Sequence, residues 1–92
     1  MVINHDGTTQ SLPDGELSLE FMQSVVGGYV KIAHIGNNML LVCNEEGKLI
    51  GLPLNVAATT FCLAHGFNDT IVGNVIICDT IKLDNYGNKG NA

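Results

Sequence analysis

Met39-Leu40-Leu41-Val42-Cys43-Asn44-Glu45-Glu46-Gly47-Lys48-Leu49-Ile50-Gly51-Leu52 is the stretch whose reading decides the fold. Its first five residues are apolar without a break, the content of a buried strand. Asn44 to Lys48 then reads as a tight loop, and Leu49 to Leu52 as a returning partner strand that Pro53 ends. Just upstream, Gly36-Asn37-Asn38 is a turn, and Tyr29 to Ile35 has an imperfect strand-like alternation.

Working outward, Val2–His5 and Thr8–Leu12 flank Asp6-Gly7, a two-residue hairpin signal. Pro13-Asp14-Gly15 breaks the second of these strands. Ser18 caps a helix expected over Leu19 to Val26, with Glu20 in its first turn and an apolar stripe of Leu19, Met22 and Val26. Gly27 is placed to end it in the left-handed conformation. Downstream, Asn55 caps a second helix from Val56 to about Ala64, closed near Gly66. In it Val56, Thr60 and Leu63 share one face, and Ala57, Phe61 and Ala64 another. A last long strand is expected over Thr70 to Cys78, with Gly73 marking a bulge or a close backbone approach, and a short strand over Thr80 to Leu83. Strands outnumber helices and are joined mostly by hairpins. The expected class is therefore α+β, a mainly antiparallel sheet of about five to seven strands with two helices packed on one face. Residues 1–84 form one domain, and 85–92 read as a flexible C-terminal tail.

Composition narrows the roles. The 92 residues carry 4 Lys, no Arg and 9 acidic residues, a net charge of −5, and only 14% are charged. The usual figure is about 25%. A chain of this mass folds to a surface of roughly 5,000 Å², so much of that surface is uncharged, and subunit contacts in a homo-oligomer would hide its apolar part. No apolar run approaches a membrane span, and the acidic balance without Arg argues against nucleic acid as a partner. The N-terminus has no secretory signal, so a cytoplasmic location is expected. Cys43, Cys62 and Cys78 lie in apolar runs, without a CxxC, and read as buried free thiols. His5, His34 and His65 have no metal-ligand spacing, so no metal site is expected. No nucleotide-loop, dinucleotide or nucleophile-elbow motif occurs, so neither an enzyme nor a cofactor is expected.

Two polar segments invite a ligand. The first holds Asn44, Glu45 and Lys48, a solvated loop or one that presents carboxylates and a lysine to a polar partner. The second, Leu52-Pro53-Leu54-Asn55, leads into a helix start with small side chains, with Thr59 one turn on. Such a start can receive an anion, although a plain Asn55 cap explains the same letters. Gly28 and Tyr29 join a helix end to a strand, where Tyr29 either packs on the sheet or stacks on a ring. The candidate ligand-binding residues are accordingly Gly28, Tyr29, Asn44, Glu45, Lys48, Leu52, Pro53, Asn55 and Thr59.

Val26-Gly27-Gly28-Tyr29-Val30, Leu41 through Asn55 with its Asn-Glu-Glu-Gly-Lys core, Ala58-Thr59 and Ile71-Val72-Gly73-Asn74-Val75 together resemble a family of small domains of unknown function found in phages, plasmids and bacteria. The family pattern often has a charged residue where this chain has Val56, and an acidic one where it has Asn74. The resemblance implies no activity; it implies a compact phage accessory protein in an infected bacterial cytosol. Two roles fit that context. One is a counter-defence module that sequesters a small nucleotide-derived signal in pockets of a homo-oligomer. The other is an inhibitor that binds a host protein through an acidic, partly apolar face, with Glu45, Glu46, Asp69, Asp79 and Asp84 steering the encounter.

Overall fold

The computed structural model describes residues 1–83. Five strands run through it, β1 (Val2–Ile3), β2 (Thr9–Gln10), β3 (Val30–Gly36), β4 (Met39–Asn44) and β5 (Val75–Asp79), with helices α1 (Leu19–Val26) and α2 (Val56–Ala64). They form one sheet in the order β2-β1-β5-β4-β3, antiparallel at every step. The α+β class and the antiparallel sheet follow the sequence pattern. Residues 85–92, expected as a tail, lie outside the described residues.

The unbroken apolar run of β4 is explained by its central place. It pairs with β3 on one side and β5 on the other, and Leu40, Leu41 and Val42 are all buried. Alternation then divides the core. Leu40, Val42, Ile76, Cys78 and Val2 pack with Met22 and Val26 of α1. Leu41, Val75, Ile77 and Ile3 pack with Ala58 and Cys62 of α2. Successive strand side chains point to opposite faces, so each helix covers its own face of the sheet. The expectation that both helices share one face is corrected here: a central strand apolar at every position requires cover on both sides.

Helix α1 spans the residues that its signals predict. Ser18 Oγ accepts the Phe21 N–H at 3.0 Å, and Gly27, at φ 79°, donates its N–H to Gln23 O at 2.8 Å. Its buried residues are Met22 and Val26, whereas Leu19 is 41% exposed and drops out of the expected stripe. Full burial of a side chain such as Met22 is worth about 1.5–3 kcal/mol. Helix α2 rests on the sheet through the small Ala58 and Cys62, while Val56 and Leu63 face solvent.

Three expected strands are corrected. Leu49–Leu52 is not a strand; residues 45–51 form consecutive turns, with Leu49 87% exposed. Both sides of β4 are already paired, by β3 and β5, so this segment cannot join β4 as its hairpin partner. The chain instead runs back as Pro53–Asn55 along Ile71–Gly73, through Gly73 N–H to Pro53 O at 2.7 Å and Asn55 N–H to Ile71 O at 2.8 Å. The last long strand therefore begins at Val75, not Thr70. Thr80–Leu83 is a short 3-10 helix; it buries Leu83 against the α1 side, and the Lys82 ammonium there binds Pro13 O and Gly15 O.

Candidate functional site

Beyond the reach of α2, the sheet face formed by β3 and β4 is roofed by the turns at 45–51 and by residues 67–72. Between them lies a half-open cavity of about 120 Å³. Register explains its floor: Lys31 pairs with Cys43 and Ala33 with Leu41, so these four side chains share one face. Phe67 and Ile71 add apolar wall, and Glu45, Lys48, Asp69 and Thr70 add polar groups.

The lysines differ in what they already hold. Lys48 Nζ lies 2.7 Å from Asp69 Oδ1, with both side chains about half exposed. That hydrogen bond, more than the Thr70 N–H that the same carboxylate accepts, holds Asp69 below the usual carboxylate range. Lys82 is committed to two carbonyls. The Lys31 ammonium makes no hydrogen bond or ion pair among the described residues, and it is the exposed lysine left there for an incoming anion. Cys43 is half-buried in the wall, and burial pushes its thiol up from its usual range. It is therefore protonated at neutral pH and is a poor nucleophile.

The sequence candidates are distributed unevenly around this cavity. Asn44, Glu45 and Lys48 line it. Gly28 and Tyr29 lie instead on an open depression shared with Gln23, Glu46 and Ile50, and Asn44 touches both places. Asn44 is also a structural tie: its amide donates to Val26 O at 3.1 Å and its Oδ1 accepts the Glu46 N–H at 2.8 Å. A Cβ on Gly28 would stand 2.9 Å from that amide nitrogen, so the position needs glycine.

Leu52, Pro53, Asn55 and Thr59 line neither place. Asn55 is fully buried; its amide donates to Ile3 O and Gly73 O, and its Oδ1 accepts the Ala58 N–H. Its polar side-chain atoms are thus already bonded inside the framework. Thr59 Oγ1 donates to Asn55 O and accepts the Ile71 N–H. Leu52 packs against Gly73, where a Cβ would come within 2.8 Å of it. These four residues hold up the cavity roof without facing the cavity.

The ligand-binding set read from the sequence omits Lys31, Cys43, Phe67 and Asp69; Asp69 enters there only as a carboxylate steering a protein partner, and Lys31 only as one of the few cations a phosphate could use. Strand parity could have found the first two, since Lys31 breaks an apolar alternation and Cys43 faces it across the hairpin. Nothing local joins Lys48 to Asp69, which are 21 residues apart.

Among the described residues, no group of three or more His, Cys, Asp or Glu side chains is placed to hold a metal ion. No helix of the described residues is long and apolar enough to cross a membrane. The chain matches the domain of unknown function DUF3846 over residues 1–87. It belongs to the DUF3846 family. That match spans every segment of the cavity of this DUF3846 chain, including the roof at 67–72. No curated protein and no solved structure matches the chain.

Proposed function

We propose that the protein is a non-enzymatic binding module that sequesters a small anionic, nucleotide-like molecule at cavities in an assembly of its own copies. The observation that carries this reading is the Lys31 ammonium, without a hydrogen bond or ion pair among the described residues, beside an apolar floor of Ala33 and Leu41 and the Phe67 wall. An apolar slot with few convergent polar groups suits a ring bearing phosphate. The cavity's 120 Å³ falls below the roughly 300–1,000 Å³ of small-molecule sites, so one chain supplies only part of the enclosure. In the biological setting that the family resemblance implies, the molecule would be a nucleotide-derived defence signal, and the protein a phage or plasmid accessory factor in the bacterial cytoplasm.

Calorimetry of the assembled protein against cyclic dinucleotides and ADP-ribose derivatives tests the reading. The expected result is at least one ligand with a Kd below about 10 µM, a binding free energy of about −7 kcal/mol. Absence of binding across the panel overturns it. A second reading, inhibition of a host protein, is favoured by the exposed Leu49 and Ile50 beside Glu45 and Glu46. It predicts a stoichiometric partner captured from host lysate and lost in a Leu49→Asp variant.

A further inference from the structure

Lys31 and Ala33 of β3 line the cavity, and β3 is an edge of the sheet. Tyr29 O accepts the Glu45 N–H at 2.8 Å, and Lys31 lies opposite Cys43. Antiparallel pairs alternate between bonded and non-bonded residues, so Tyr29, Lys31 and Ala33 turn their main-chain groups toward β4. Val30, Ile32 and His34 turn theirs outward. No described backbone group bonds to those three N–H or three C=O groups. A seven-residue strand with such an edge is a template for another strand.

We propose that β3 pairs antiparallel with β3 of a second copy, centred on Ile32, so that two cavities join into one anion site to which each copy contributes Lys31. The register follows from charge and geometry. Centring on Lys31 sets two ammonium groups directly opposite, which is destabilising. Centring on Ala33 sets Val30 opposite Gly36, beyond the irregularity between His34 and Gly36 where the alternation breaks. Centring on Ile32 pairs Val30 with His34 twice and Ile32 with itself, so every outward group is used.

In that register Lys31 of one copy stands opposite Ala33 of the other, on the α2 face that carries the cavities. The two Lys31 Cα atoms then lie diagonally, about 7–8 Å apart, a spacing from which two ammonium groups can bracket one phosphate or a diphosphate. A stable interface needs about 800 Å² from each partner, against 5477 Å² for the whole chain. Apolar area for the pairing is offered by the exposed Tyr29, just before β3, and by the exposed Leu49, which lines the cavity with Lys31. The site's ligand class rests on the binding reading above; the strand pairing does not.

Light scattering of the full chain at 100 µM is expected to give about 20 kDa, twice 9.8 kDa. The Ile32 N–H faces outward, so Ile32→Pro leaves the β3–β4 ladder intact and is expected to give a 9.8 kDa species with unchanged far-UV dichroism. Should that variant not fold, Ile32→Cys in a Cys43→Ser background decides. Its paired Cα atoms would lie about 5.5 Å apart, with Cβ atoms wider than a disulfide takes, so a short bis-maleimide is expected to yield a covalent dimer, whereas Thr9→Cys on the opposite sheet edge yields none. A monomeric wild type, or cross-linking at Thr9→Cys and not at Ile32→Cys, overturns the pairing. With inorganic pyrophosphate as probe, Lys31→Gln is expected to weaken binding at least tenfold while the mass stays near 20 kDa. A cross-linked dimer that ignores pyrophosphate overturns the shared anion site. A dimer that binds pyrophosphate and no nucleotide overturns only the nucleotide reading.

Discussion

Asn55 offers the sharpest test of what holds this fold together. If it were only a helix cap, Asn55→Asp would be close to neutral, because Asp and Asn cap helices about equally well. In the structure its amide also bridges Ile3 O at 3.0 Å and Gly73 O at 2.8 Å, linking β1 and the 71–73 segment to α2. Asn55→Asp keeps the Oδ1 bond to the Ala58 N–H but points an oxygen, not two N–H donors, at two carbonyls. Each lost buried bond costs about 1–3 kcal/mol, so losing both should destabilise by about 2–6 kcal/mol. Asn55→Ala loses the cap as well, about another 1 kcal/mol. Against the roughly 5–14 kcal/mol expected for 92 residues, either loss is large. Urea unfolding at pH 7, followed by far-UV dichroism at fixed protomer concentration, measures both. As pH falls, the buried Asp carboxyl should protonate and recover one donor, narrowing its deficit. An Asn55→Asp variant within about 0.5 kcal/mol of wild type would refute the reasoning, because it would reduce Asn55 to a cap.

Gly73, at φ 75° and with Leu52 Cδ1 only 2.8 Å from where a Cβ would stand, should tolerate alanine poorly; a loss of about 1–2 kcal/mol is expected in thermal melts. The exposed Lys48–Asp69 pair should contribute no more than about 1 kcal/mol, so Lys48→Met is a mild variant whose effect shrinks further in high salt. Because folding lowers the Asp69 pKa below 3.8, that contribution is complete above pH 3.8 and is lost as pH falls through the folded value; a wild-type minus Lys48→Met difference that persisted in strong acid would contradict it. With a thiol-reactive dye, half-buried Cys43 should react before the buried Cys62 and Cys78, slowly at pH 7 and faster as pH rises. Equal rates for all three thiols in the native protein would contradict the burial pattern.

Legibility divides along the range of each signal. As caps, Ser18, Gly27 and Asn55 act within a few residues of their own position, and α1 starts and stops, and α2 starts, where those letters predict. Leu49–Leu52 carries the apolar letters of a strand, yet strand formation needs an unpaired neighbour and β4 has none to spare. The candidate site divides in the same way. Asn44, Glu45 and Lys48 reach the cavity because their loop directly follows β4. Lys31, Phe67 and Asp69 arrive from other parts of the chain, through hairpin register and the return of 67–72 over the sheet.

By itself the sequence determined the two helices, the first hairpin, the buried character of Met39–Cys43 and the shortage of charge that makes cationic groups scarce here. Each depends on local backbone preference or on composition. Tertiary structure alone decided that the helices cover opposite faces, that β3 stays at an edge, and that Lys31 is the lysine left unpartnered beside a cavity among the described residues. These are outcomes of pairing between distant segments, where one apolar residue substitutes for another in the letters but only one arrangement satisfies every backbone bond and covers both faces of the sheet.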